Sequence, residues 1–171
     1  MEPADPVNGP VPFASRFRSA AESPGFLLWK TANRHQRLQR EALVTLGISP
    51  THFSLLACFA DLTRRKGRPV SQAEVAEHAG LDKMVVSDGT RALLARQLIE
   101  RRRSDSDRRA FGIVLSPHGV VTCNKALAVV EACDATFFER CSDGAALIAL
   151  LRDLLNEVSP APQRPTISTS P

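Results

Sequence analysis

Apolar positions recur every three or four residues over most of this chain, the period of an amphipathic helix, and only a stretch after residue 98 alternates instead. Pro24 opens the first helical run. Phe26, Leu27, Leu28 and Trp29 are followed by Ala32, His35, Leu38 and Ala42 at helical spacing until Gly47 stops the pattern. A second run starts at Ser49-Pro50 and carries two stripes, His52, Leu55, Phe59 and Leu62 on one side and Phe53, Leu56, Ala57 and Ala60 on the other. A helix apolar on two sides is covered on two sides, which predicts a central position.

The basic loop Arg64-Arg65-Lys66-Gly67-Arg68-Pro69 follows, and Val70 can form a minimal strand. Ser71-Gln72-Ala73-Glu74 is a capping box: the Ser71 hydroxyl accepts from the Glu74 amide while the Glu74 carboxylate accepts from the Ser71 amide. The short helix it opens ends at Gly80, and Asp82 is the N-cap of the next. About two turns of helix and a three-residue turn between caps is helix-turn-helix spacing. The helix after Asp82 presents Val86, Leu93 and Leu94 inward and Lys83, Met84, Ser87, Asp88, Thr90 and Arg91 outward. Ile99 to Arg103 and Ala110 to Leu115 then read as two strands of a hairpin, or wing, with Ser104 to Arg109 as its loop.

Ser116-Pro117 starts a long helix with Val120, Cys123, Leu127, Val130, Phe137 and Cys141 on one stripe, expected to run to about Arg140. Ser142 or Asp143 caps the last helix, whose Leu147, Leu150, Leu151, Leu154, Leu155 and Val158 form a narrow, near-heptad stripe. Such a stripe needs a partner, and a second copy of the chain is the simplest, with the first helix contributing. Phe13, Phe17, Leu27, Phe137 and Phe138 join the leucines as expected dimer contacts. Residues 1–12 and 159–171 are rich in proline and small polar residues and are expected to be disordered. Phe13 and Phe17 could dock as a short helical arm. Residues 13–158 are expected to form a single domain, a winged helix over about 48–115 between dimerisation helices over about 13–46 and 116–158.

Charge sharpens this outline. Arg91 to Arg109 holds seven basic and three acidic residues, a net +4, and the whole chain of 171 residues is also +4. The rest of the chain sums to zero, so the excess is confined to the second helix of the pair and the hairpin, where it suits a polyanion. Aromatic residues make up only 5% of the chain and tyrosine is absent, which favours a mainly α protein over a β-sandwich. No run approaches the roughly 18 apolar residues of a membrane span, and Met1 to Pro6 lacks the pattern of a signal peptide, so a cytoplasmic protein without membrane partners is expected. Cys58, Cys123, Cys133 and Cys141 form no C-x-x-C pair, and neither a metal site nor a cofactor is expected. Phosphate loops, H-E-x-x-H, nucleophile elbows and carboxylate pairs in an apolar stretch are missing, which speaks against an enzyme.

In this order, Val70-Ser71-Gln72-Ala73-Glu74-Val75-Ala76, Leu81-Asp82-Lys83, Val85-Val86-Ser87, Leu98-Ile99-Glu100-Arg101, Asp107-Arg108-Arg109-Ala110 and Leu115-Ser116-Pro117-His118-Gly119 resemble the MarR family of winged helix-turn-helix transcription regulators, over roughly residues 24–158. The resemblance implies a homodimer on a pseudo-palindromic operator in double-stranded DNA, with Lys83 to Arg91 in the major groove and Arg109 in the minor groove. It also implies repression relieved by a small molecule, often aromatic or phenolic, or by an oxidant. The expected DNA-facing residues are Ser71, Gln72, Lys83, Met84, Ser87, Asp88, Thr90, Arg91, Arg103, Asp107, Arg108 and Arg109. Trp29, His35 and His52 are the candidates for an effector pocket, although a satisfied core or interface residue is the simpler reading of either histidine.

Two positions depart from the family pattern. Asp88 stands where many members carry arginine, and Gly89 follows it inside the helix at a cost of about 1 kcal/mol relative to alanine. Asp88 would repel phosphate, yet it could accept from cytosine N4 or orient Arg91. Two alternatives stay open, the first on Asp88 and Gly89 and the second on the cysteines. One is a winged helix that has become a protein-interaction module, and the other a thiol-based redox-sensing regulator.

Overall fold

The computed structural model describes residues 15–103 and 111–156, which form six helices and one two-stranded antiparallel sheet. The expected disordered ends, Phe13 and the hairpin loop with Asp107, Arg108 and Arg109 lie outside the described residues. Helix α1 spans Pro24–Leu43; Ser23 caps it, its Oγ accepting from the Phe26 amide at 3.3 Å. A 3-10 turn carries the chain to Gly47, whose φ of 62° ends the run. Phe17 lies in a bend rather than in the expected helical arm, with the Arg16 guanidinium 4.8 Å from its ring centre.

Helix α2, Pro50–Lys66, is the centre of the molecule, as its two stripes predict. Phe53, Leu55, Leu56, Phe59 and Leu62 are all buried, and α2 packs against α1, the two helices that follow it, the second strand and the long helix after the sheet. Helix α3 covers Gln72–Ala79, and α4 covers Lys83–Ala95. Strand β1, Ile99–Arg103, pairs with β2, Phe111–Leu115, and Ile99 faces Leu115 in register. Val70 adds the expected bridge through two backbone hydrogen bonds with Ile113. That bridge fastens the start of α3 to the wing.

Helix α5 spans Pro117–Phe138 and packs along α1. Its buried face is Gly119, Cys123, Ala126 and Val130, whereas Val120 and Leu127 of the expected stripe are largely exposed. The alanine-rich sequence makes the choice between two overlapping apolar stripes ambiguous. Helix α6, Gly144–Asn156, is capped by Asp143, whose carboxylate accepts from the Ala146 amide at 2.9 Å. Among the described residues it packs extensively on no other element, and Leu150, Leu154 and Leu155 are exposed. No single described helix is long and apolar enough to cross a membrane.

Candidate nucleic-acid interface

The surface formed by α3, α4 and the wing begins with its caps. At the start of α3, the Glu74 amide donates to Ser71 Oγ at 3.2 Å and the Ser71 amide donates to Glu74 Oε2 at 2.7 Å, completing the box expected from sequence. Glu74 does more than cap. Arg68 and Lys66 each approach Oε1 at 2.6 Å, and these cations together with Ser71 hold its carboxyl well below the usual range. Asp61 likewise receives Arg64 and Arg65 at 2.7 Å, and they lower its carboxyl in turn. Arg64, Arg65 and Lys66 belong to the last turn of α2 rather than to the expected loop, which is confined to residues 67–69, and together with Arg68 they are committed to two carboxylates.

Gly80 adopts a φ of 61° and turns the chain toward α4. Asp82 opens that helix, its carboxylate accepting from the Met84 amide at 2.7 Å. The inner face is Val86, Gly89, Thr90 and Leu93, all buried, and the outer stripe is Met84, Ser87, Asp88 and Arg91 at positions i, i+3, i+4 and i+7. Thr90 thus contradicts its expected outward placement. It is 1% exposed, four residues from Val86 on the same face, and its hydroxyl finds no partner among the described residues. Helical phase overrides its polarity.

Asp88 and Arg91 form an ion pair at 3.1 Å on the outer face. Of the two uses sequence leaves open for Asp88, orienting Arg91 is the one that matches this geometry. Gly89 has a structural reason that sequence could not supply: a Cβ there would overlap the Leu55 side chain of α2. The glycine lets α4 lie close against the central helix.

Lys83 and Arg91 are exposed, as are Ser71 and Arg103, while Gln72 and Ser87 are half-buried. Arg103 lies over the Phe111 ring at 5.5 Å, and Arg102 pairs with Glu100 at 2.7 Å. Arg96 points the other way and donates to the Gly47 carbonyl at 2.6 Å, bracing the end of α4 against the linker before α2. The positive excess read from sequence is thus partly structural.

The three residues expected at an effector pocket are not brought together. Trp29 is 63% exposed and packs beside Phe26, with ring centres 5.7 Å apart. His35 instead bridges α1 to α5: its Nε2 lies 2.6 Å from Asp134 Oδ1, and its ring sits 5.0 Å from that of Phe137. That is the satisfied interface histidine. His52 is half-buried on α2, and burial with Arg96 nearby lowers its pKa.

Among the grooves formed by the described residues, two involve α1. One, of about 660 Å³, lies between α1 and α5 and is lined by Leu27, Lys30, Arg34, Phe137 and Arg140 among others. The second, of about 330 Å³, has Gln36, Gln39 and Arg40 of α1 on one wall, Ser49 to Thr51 and Ser54 at the start of α2 on another, and Ala79 and Leu81 of the α3–α4 turn on the third. Burial pushes up the thiols of Cys58, Cys123 and Cys133, which disfavours the reactive thiolate. No cluster of metal-ligating side chains occurs among the described residues.

Comparison with known proteins agrees with this arrangement. The chain is 30% identical over 141 residues to the uncharacterized HTH-type transcriptional regulator YdcH of Bacillus subtilis, covering 82% of this chain and 95% of that one. CouR of Rhodococcus jostii RHA1, solved with p-coumaroyl-CoA, superposes with a TM-score of 0.72 at 25% identity over 86% of this chain and all of that one. A cysteine-to-serine mutant of MarR from E. coli, complexed with operator DNA, shares the fold with a TM-score of 0.63 at 21% identity, over 80% of this chain and 93% of that one. The MarR family model matches residues 48–111, the span from the start of α2 into the wing. With a capped helix pair, a bridged wing and a homologous regulator along most of its length, the chain belongs to the MarR family of transcriptional regulators.

Proposed function

We propose that this regulator acts as a homodimeric, sequence-specific repressor that leaves a pseudo-palindromic operator when a small molecule binds. The observation that carries the reading is the outer stripe of α4, Met84, Ser87, Asp88 and Arg91, held by the Asp82 cap beside a basic hairpin. Lys83 and Arg91 contact phosphate, Asp88 orients Arg91, Ser87 faces base edges, and Ser71, Gln72 and Arg103 flank the groove. Arg109 enters the minor groove, where the potential is most negative, with Asp107 and Arg108 beside it. Two subunits joined through α1, α5 and α6 present two such surfaces at operator spacing.

The effector site in this reading is the smaller groove. Its walls belong to α1, which carries dimer contacts, and to the turn that carries α4, so a ligand there can favour one spacing of the recognition helices by its differential affinity. Arg40 and the neighbouring hydroxyls and amides suit an anionic molecule, and p-coumaroyl-CoA in CouR is an anion with a phenolic group.

Fluorescence anisotropy with DNA from upstream of the chain's own gene, at two salt concentrations, tests the reading. Specific, salt-dependent binding is expected, and Arg109→Ala should flatten the slope of log K against log salt by about one unit. An unchanged slope removes the wing from the mechanism. Failure to bind at low salt overturns the DNA-binding reading and favours a protein-interaction module.

A further inference from the structure

The outer stripe of α4 is unusual for a surface meant to face a polyanion. Its first residue, Met84, is 75% exposed, and the adjacent Val85 is 42% exposed. Neither belongs to the core. Their neighbours contribute little net charge: Lys83 follows the Asp82 cap, and Arg91 is held by Asp88. An arginine already engaged by a carboxylate is a poorer fork for guanine, because that contact must compete with the ion pair.

In the major groove the base edges present hydrogen-bonding groups and one apolar group, the 5-methyl of thymine. A large apolar side chain on the groove-facing stripe therefore has one kind of base partner. The N-terminal residues of a recognition helix are those that reach base edges in helix-turn-helix proteins, and Met84 and Val85 occupy the first turn. The Met84 amide is fixed by Asp82, so the turn is set before DNA arrives. The methionine's flexible thioether chain can then settle against a methyl group.

We propose that Met84, flanked by Val85, is the specificity-determining contact of this regulator and reads thymine 5-methyl groups in each half-site. The inference rests on the DNA-binding reading above and goes beyond it by naming the base and the atom recognised. Arg91 and Lys83 then position the helix on phosphates, and the discrimination between thymine and other bases comes from apolar contact.

The test uses the full-length protein and a duplex selected by it from a random pool. Each thymine is replaced in turn by deoxyuridine, which removes the methyl and leaves every hydrogen-bonding group in place. At one or two positions per half-site the wild type should lose about fourfold in affinity, the value of one buried methyl-sized group. The Met84→Ala, Val85→Ala double variant should bind thymine and uracil duplexes alike at those positions. Both residues are exposed, and circular dichroism checks that the variant remains folded.

A wild type indifferent to uracil at every position overturns the inference while leaving DNA binding intact. So does a double variant that keeps the full uracil penalty, since the penalty then comes from DNA stiffness or another side chain. If no duplex is enriched from the pool, the DNA-binding reading fails and the inference fails with it.

Discussion

Gly89 and Thr90 sit side by side in α4, and both mislead a reading of the sequence, because what each packs against is decided by the fold rather than by its own chemistry. The spacing is legible, since Val86, Thr90 and Leu93 fall on a single face, but a threonine in a DNA-facing helix reads as polar and outward. Its methyl group in fact lets it serve as a core residue, and it is fully buried. Gly89 reads as a helix defect because the side chain that needs its absence, Leu55, belongs to α2. Gly89→Ala should therefore destabilise the protein despite alanine's better helix propensity. Overpacking costs about 1–3 kcal/mol against a gain of about 1 kcal/mol, so a net loss of up to about 2 kcal/mol in urea unfolding is expected. Adding Leu55→Val should recover part of that loss, and additive effects of the two changes would show that they do not touch.

At the scale of the elements, most of the fold is legible. Caps and periodicity place α1 to α4 and β1, and Ser116-Pro117 places α5, because these depend on neighbours in sequence. The partners of the basic run Arg64 to Arg68 are not legible, since Asp61 and Glu74 belong to two different helices and either could have faced solvent. Glu74 links the capping box to Lys66 and Arg68 with its side chain only 22% exposed. Its carboxyl ionises below the ordinary value of 4.5, so its contribution to stability is complete above that pH and fades as the pH falls toward the folded-state value. Glu74→Gln keeps the shape but gives up the charge. It should cost about 1 kcal/mol at pH 7, and the gap between variant and wild type should narrow steadily below about pH 4.5. Urea midpoints measured at about pH 7 and about pH 3.5 check this; a gap that stays constant would mean the carboxylate's charge is irrelevant to the cap.

Sites that depend on the whole molecule divide in the same way. Trp29, His35 and His52 share no groove because an effector pocket is made by the meeting of distant elements, and a helical stripe says only which side faces inward. The leucine stripe of α6 is legible because it lies within one helix, and among the described residues no other element covers it extensively. Leu150 is 62% exposed and Leu154 61%, on a helix that packs extensively on no other element. Exposed apolar rows of this kind mark association surfaces, and a second subunit can cover both copies by two-fold symmetry. Leu150→Glu with Leu154→Glu places charges in the proposed interface at positions that contribute little to the subunit's own core. Light scattering should then give a species near the chain mass of 18.6 kDa, with the wild type at twice that value. The variant should retain α1 to α5 by circular dichroism and bind a two-half-site duplex no more tightly than a single half-site. A variant that remains dimeric would move the interface away from α6, and a wild type that is monomeric at micromolar concentration would remove the dimer from the mechanism.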